Sequence, residues 1–374
     1  MLRRIRLIVA LVFFILITLL FLDFTGTLHA WFGWLAKIQF LPAVLALNVG
    51  VILLWVVLTL VFGRVYCSVI CPLGVFQDVV SWFSGRRKKK KYRFSYSPAV
   101  SWLRYGMLGV FIIAMIAGIG SVVALLAPYS SYGRIVSNLF APVYQWGNNV
   151  LAYFAERSDS YAFYETSVWL KSLPTFIIAA VTFVALVVLA WRNGRTYCNT
   201  ICPVGTVLGF FSRYSLFRPE IDAEKCTNCS LCSRKCKAAC INYKDHRIDY
   251  SRCVTCMDCI DSCKHGAISY KYRFGKKEIK ETSETGNTNN ARRSFLTGMG
   301  LVLVSSAVKA QEKKVDGGLA VILDKKVPAR TTPLVPPGAK GLRNMRTRCT
   351  GCQLCVSVCP NQVLRPSTKL ETLM

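Results

Sequence analysis

"GRVYCSVICPLG" (residues 63–74) and "GRTYCNTICPVG" (residues 194–205) are two copies of one phrase, set 131 positions apart. Gly, Arg, Tyr, Cys, Ile, Cys, Pro and Gly recur in register, and each copy closes a pair of apolar stretches. The chain therefore reads as a duplicated two-span unit. Those stretches run roughly over 7–22, 41–62, 102–127 and 174–191, each near the ~20 residues that a helix needs to cross a bilayer's hydrocarbon core.

The 374 residues carry a formal net charge of +28, are 53% hydrophobic and include 17 cysteines. A nucleic-acid binder spreads its Lys and Arg over a folded surface, whereas a membrane protein gathers them in loops on one side. Here "RRIR" (3–6), "GRRKKKKYR" (85–93) and "WRNGR" (191–195) flank the apolar stretches, so nucleic acid is set aside as a partner. The positive-inside rule predicts an inner N-terminus, with 23–40 outside, 63–100 inside, 128–173 outside and everything after 191 inside. "FLDFTGTLHAWFGW" (21–34) has no small-residue cleavage site, so the first span is expected to stay as an anchor.

If each repeated phrase continues its helix, Cys67 and Cys71 share one face, as do Cys198 and Cys202, because residues four apart are neighbours. Matched pairs in both copies favour redox or metal work over cysteine as a small packing residue. A cluster, a cycling dithiol and a quinone contact all stay open for them. A permanent disulfide is disfavoured on a reducing face.

The densest chemistry lies at "CTNCSLCSRKC" (226–236) and "CVTCMDCIDSC" (253–263), both Cys-x2-Cys-x2-Cys-x3-Cys. Three close thiolates hold three corners of a cubane, and the fourth cysteine of each run completes the other cluster. Cys226, Cys229, Cys232 and Cys263 are thus assigned to cluster I, and Cys253, Cys256, Cys259 and Cys236 to cluster II. Zinc sites show paired Cys-x2-Cys knuckles and fit less well than iron in two [4Fe-4S] clusters. The usual proline after the fourth cysteine is Lys237 in one run and Lys264 in the other, and their charge is expected to raise the potentials. Cys240 is left over and reads as a bystander.

Three histidines, His29, His246 and His265, do not provide a membrane haem pair, and no Cys-x-x-Cys-His attachment motif occurs. His29 reads as an interfacial residue. No phosphate loop or dinucleotide fingerprint is present, so no independent catalytic site is identified.

After residue 272 the chain turns polar. "ARRSFLTGMGLVLVSSAVKAQ" (291–311) then reads as a twin-arginine export signal or a short fifth anchor, and "CTGCQLCVSVCP" (349–360) as a third run. That export route suits cargo already loaded with a cluster. Cys349, Cys352 and Cys355 supply three ligands; Cys359 would serve a neighbouring cluster, close this one, or leave a corner to a partner, and a truncated module is expected. The predicted domains are 1–215 (membrane), 216–272 (two-cluster ferredoxin), 273–290 (linker), 291–311 (signal or anchor), 312–345 (linker) and 346–374 (partial ferredoxin). The predicted class is mainly α: a polytopic four-helix membrane domain with an α+β ferredoxin-like domain and a C-terminal partial module.

Apolar spans, two GRxYCxxxCPxG phrases and the two-cluster segment over about 10–270 resemble the membrane ferredoxin family that includes the NapH subunit of periplasmic nitrate reductase systems and the nitrous-oxide regulator NosR. The later part resembles an exported NapG-type ferredoxin, giving a NapH–NapG-like fusion. The resemblance implies a bacterial inner-membrane protein with its 216–272 domain cytoplasmic and its C-terminal module periplasmic. It also implies oxidation of quinol from the quinone pool and electron transfer through the clusters to a periplasmic acceptor protein. The twin-arginine machinery would be a further partner. The alternative function is a membrane redox sensor or metalloenzyme-maturation factor of the NosR/CcoG type.

Overall fold

The computed structural model describes residues 2–23, 26–86, 94–157, 165–166, 173–274, 335, 339, 341–359 and 364. The twin-arginine stretch 291–311, most of both expected linkers and the basic run 87–93 lie outside the described residues. The structure is mostly helical. Its helices in chain order are α1 (Leu2–Leu22), α2 (Thr27–Phe32), α3 (Trp34–Lys37), α4 (Phe40–Leu45), α5 (Val49–Phe62), α6 (Val65–Val69), α7 (Pro72–Gly85), α8 (Ser101–Ile116), α9 (Gly120–Leu126), α10 (Pro128–Ile135), α11 (Ala141–Glu156), α12 (Leu173–Asn193), α13 (Thr196–Thr200) and α14 (Pro203–Ser212). The cysteine runs supply α15 (Leu231–Lys235), α16 (Asp258–Ser262) and, after α17 (Leu342–Arg348), α18 (Leu354–Val358).

Of the expected spans, two helices are long and apolar enough to cross a membrane, α1 and α12. The other two stretches are each broken in the middle. Leu47 (φ 54°) and Gly118 (φ 74°) take left-handed backbone, and the next residue's N–H reaches back five residues, Asn48 to the Ala43 carbonyl and Ile119 to that of Ala114, both at 2.9 Å. This is the Schellman stop, which satisfies the last carbonyls of a helix. Asn48 then starts α5 by accepting the Val51 N–H on its side chain (3.4 Å). Apolar side chains still face outward on all four stretches, including Ile8, Leu53, Ile113 and Val181.

The segment 128–173, expected as an outer loop, instead begins as a helical run. α10 is buried along its whole length and passes through one π-helical turn, Val136–Phe140, into α11. The duplication governs the packing. α7 of the first copy lies on α12 of the second, and α14 of the second lies on α5 of the first. The ferredoxin segment adds β1 (Phe217–Ile221), β2 (Ile241–Asn242), β3 (Arg247–Ile248) and β4 (Ile268–Tyr272). β1 pairs antiparallel with β4 in the register Phe217–Tyr272, and β2 with β3.

Candidate functional site

Most positions shared by the two phrases have a physical task. Gly63 (φ 76°) and Gly194 (φ 72°) turn the chain through left-handed backbone after α5 and α12. The phrase does not continue the preceding helix as expected. α6 and α13 are single turns, and Pro72 and Pro203 start new helices at the position where a missing N–H costs nothing. Cys71 and Cys202 cap those helices. Cys202 Sγ accepts the Gly205 N–H at 3.4 Å.

Gly74 and Gly205 are required by crowding, because a Cβ would stand 2.3 Å from the Cys67 carbonyl oxygen at one and 2.1 Å from that of Cys198 at the other. The two arginines cross between copies. Arg195 Nη1 donates to the Cys67 carbonyl (2.6 Å), and Arg64 Nη2 to the Cys198 carbonyl (3.2 Å). Each copy's arginine thus pins the other copy's first cysteine.

Cys67, Cys71, Cys198 and Cys202 converge as a result. All four are buried, and all six pairs lie within electrostatic range of one another. Burial, then the neighbouring thiols, push Cys71 and Cys202 well above the ordinary thiol range. Gln77 Nε2 donates to Cys198 Sγ (3.3 Å), and Arg64 Nη2 approaches Cys67 Sγ at 3.8 Å. Arg64 is fully buried, its Nε makes no hydrogen bond, and no carboxylate pairs with it among the described residues. A buried cation without a counter-charge is costly, and a cluster ligated by four thiolates would supply the missing negative charge. Among the described residues no three His, Cys, Asp or Glu side chains converge tightly enough for a single metal ion. A cubane, with each iron corner held by a different thiolate, asks for a wider quartet.

The partner of Arg195 is Asp78, which takes its Nε (2.8 Å) and Nη2 (2.6 Å) in a bidentate fork and also accepts from Arg6 Nη1 (3.2 Å). Burial opposes the charged form of Asp78, yet Arg195, Lys237 and Arg6 hold its carboxyl well below the usual range. Lys237 Nζ stands 3.1 Å from Asp258 and 3.7 Å from Asp78. Burial likewise works against Asp258, and Lys237 and Arg3 outweigh it. The lysine expected to raise a cluster potential is therefore balanced by two carboxylates, and Lys264 is exposed to solvent.

The ferredoxin segment joins this network directly. Arg64 Nη1 donates to the Ser251 carbonyl (3.2 Å), two residues before Cys253, and the Arg195 N–H to the Lys237 carbonyl (2.9 Å), one residue after Cys236. The three cysteine runs share one backbone. Positive φ recurs at Asn228 and Ser230, at Thr255 and Met257, and at Gly351 and Gln353, the second and fourth positions after each leading cysteine. A β-branched Thr255 at φ 51° is strained, and the same backbone course at matching places in all three runs fits a loop shaped for a ligand.

Cys253, Cys256, Cys259 and Cys236 line one small cavity. Cys240 lines it too, with its Sγ 3.5 Å from that of Cys236. The expected bystander is in contact with the cluster II thiols. Cys236 lies within range of Cys253, Cys256 and Cys259, and Cys240 sits against Cys236 and Cys253. In the first run Cys226 and Cys229 gather near Cys232, and Cys263 Sγ accepts the Ala267 N–H. In the third, Cys352 and Cys359 neighbour Cys355, and Cys349 neighbours both Cys352 and Cys355.

Known proteins match these same segments. One family described as a 4Fe-4S binding domain matches residues 44–91 and 175–222, the two copies of the repeat. A second of the same description matches 246–269 and 345–365. The ferredoxin-type protein MauN of Paracoccus denitrificans is 24% identical over 210 residues, 55% of this chain and 57% of MauN. The ferredoxin-type protein NapH of Escherichia coli is 25% identical over 198 residues, 52% of this chain and 55% of NapH. The chain is thus similar to the NapH/MauN-type ferredoxin proteins over about half of its length. It is also similar to the putative electron transport protein YccM of Escherichia coli, at 22% identity over 52% of the chain and 47% of YccM. An uncharacterized Methanocaldococcus jannaschii protein is 36% identical over 61 residues, 16% of the chain and 25% of that protein. The chain thus spans between a quarter and just over half the length of these relatives. No solved structure matches it.

The match over 44–91 and 175–222 makes iron-sulfur chemistry the setting in which the CxxxCP thiols are read. What sequence reasoning missed is their frame: Arg64, Arg195, Asp78 and Gln77. The arginines recur in both copies, and Asp78 is a lone carboxylate in "PLGVFQDVVSW" (72–82), which is the signal that could have found them.

Proposed function

We propose that this chain carries electrons across a membrane through [4Fe-4S] clusters, from quinol to a periplasmic redox partner. Cluster I is assigned to Cys226, Cys229, Cys232 and Cys263, cluster II to Cys253, Cys256, Cys259 and Cys236, a membrane cluster to Cys67, Cys71, Cys198 and Cys202, and a further one to the run Cys349–Cys359. A cluster so held takes up or releases one electron with little change in shape. The protein's own residues do the rest: the twin glycine turns lead into the thiols, the crossed arginines offset their charge, and Arg64 ties the quartet to the turn leading into Cys253.

In this reading four apolar stretches span a bacterial inner membrane, the 216–272 domain is cytoplasmic, and the C-terminal run reaches the periplasm as a NapG-like extension exported by the twin-arginine route. Quinol would meet the cleft of about 370 Å³ lined by His29, Trp31, Trp34 and Lys37. That size suits a small organic ligand, and His29 Nδ1 is buried there without a hydrogen bond. The observation that carries the reading is the bonded link from the thiol quartet through Arg64 to Ser251 and Cys253. Its test is quinol-dependent bleaching of cluster absorbance in the purified protein. Bleaching in the wild type and none in a His29→Ala variant supports the quinol step, and no bleaching in the wild type overturns it.

A further inference from the structure

A third buried arginine lies away from the quartet. Arg134 is 1% exposed and donates only to neutral acceptors: the Ala124 carbonyl (2.9 Å), Ser130 Oγ (2.8 Å) and Ser131 Oγ (3.2 Å). Its Nε makes no hydrogen bond, and no carboxylate pairs with it among the described residues. The acidic groups within its electrostatic range are Cys352 of the third run and Tyr197, the residue before Cys198. The Tyr197 hydroxyl donates to the Leu126 carbonyl (3.4 Å), and Ser131 Oγ, which donates to the adjacent Leu125 carbonyl (2.8 Å), accepts from Arg134. Arg134 thus stands between the residue preceding Cys198 and the third run.

The third run is seated at this point. A Cβ on Gly133 would stand 2.5 Å from the Cys352 carbonyl oxygen and 2.7 Å from the Phe21 ring, so only glycine permits the approach. Asn138 Nδ2 donates to Gln353 Oε1 (2.8 Å), and both side chains are buried. Asn138 stands on the π-helical turn, an irregularity that re-aims a side chain and is frequent at functional sites. Leu354 and Val356 are buried as well, and α18 packs on α1. At its other end α1 bonds the ferredoxin segment, Arg3 to Asp258 (2.8 Å) and to Asp261 (2.7 Å). From Arg3 to Phe21 the helix rises about 27 Å, close to the ~30 Å of a hydrocarbon core.

We propose that Gly133, Arg134 and Asn138 form a fixed seat for the Cys349–Cys359 run, so that the third cluster site is a docked terminal with Arg134 standing between it and Tyr197 of the second phrase. This rests on the iron-sulfur reading of the quartet. With clusters bound at both sites, one electron passing between them would oxidise one and reduce the other, with no bond formed, no proton moved and quinol as the reductant upstream. The uncompensated charge of Arg134 meets the net negative charge of a thiolate-ligated cluster at Cys352. Arg134 is a positioning residue that also stabilises the reduced state.

The test uses the full chain with a protease site inserted within 312–337 and a tag after residue 374. After cleavage in detergent, the C-terminal fragment is expected to stay with the wild-type remainder through size exclusion and to leave in Gly133→Leu and in Asn138→Leu. In uncut Arg134→Gln the third cluster's midpoint is expected to fall while that of the 253–259 run holds. A fragment that leaves the cut wild type, or stays equally bound in both variants, overturns the seat. An unmoved midpoint overturns the role of Arg134. Iron measured in the cut remainder separates the two readings: fragment lost with iron present refutes docking alone, whereas a wild type without iron refutes the iron-sulfur reading itself.

Discussion

Asp78→Asn keeps the shape of the side chain and removes its charge. The carboxylate serves Arg195, which is fully buried, Arg6, which is 8% exposed, and Lys237. Lys237 keeps Asp258, but the two guanidiniums lose their only acidic partner among the described residues. Removing one member of a buried ion pair costs about 3–5 kcal/mol, because the charge left behind stays desolvated. With roughly 2–4 °C per kcal/mol for a fold of this size, the melting temperature should drop by ~6–20 °C. Tryptophan fluorescence during heating in detergent measures it. Lys225→Ala is the control, since Lys225 is exposed and its pair with Asp222 is at 3.9 Å, and such pairs contribute about 0–1 kcal/mol. The gap between wild type and Asp78→Asn should hold from pH 8 to pH 5. Folding depresses the Asp78 pKa, so its contribution is present above the unfolded value of about 3.9 and is lost only as pH falls further. An Asp78→Asn protein melting within ~2 °C of wild type would refute this account of how the repeat and the ferredoxin segment are joined.

Other expectations follow from the same contacts. Gly74→Ala and Gly205→Ala should each displace a Cys carbonyl and lower iron content, read by iron assay; wild-type iron in both would count against the crossed geometry. Lys237→Met should lower the cluster II midpoint more than Lys264→Met, which sits in solvent and should shift nothing measurable in a redox titration. Cys240→Ala should keep the cluster II EPR signal and Cys236→Ala should abolish it, because Cys236 lies within range of all three thiols of the second run. Arg64→Met should leave the fold intact and slow reduction of the 253–259 cluster relative to the quartet, seen by freeze-quench EPR.

The duplicated phrase and the three cysteine runs were legible in the sequence because their spacing is itself the chemistry. Each CxxCxxC run wraps a ligand in one way, and positive φ recurs at matching residues in all three. The Schellman breaks were not legible: an apolar window over 41–62 or 102–127 is blind to Leu47 adopting left-handed backbone or to Gly118 stopping a helix. The convergence of Cys67 with Cys71 was expected from a helix face and comes instead from a turn and a cap, since Pro72 and Pro203 forbid the continuous helix. Arg134 and Gln353 escaped notice because they act across more than 200 residues of chain, where no local pattern can report a contact.

The account stands most directly on whether the four CxxxCP thiols bind a cluster. Iron analysis with EPR on the dithionite-reduced full chain, compared with Cys71→Ala/Cys202→Ala, decides it. The double variant is predicted to lose about four irons per chain and one reduced-cluster signal while the ferredoxin signals persist. Unchanged iron and an unchanged spectrum would contradict it.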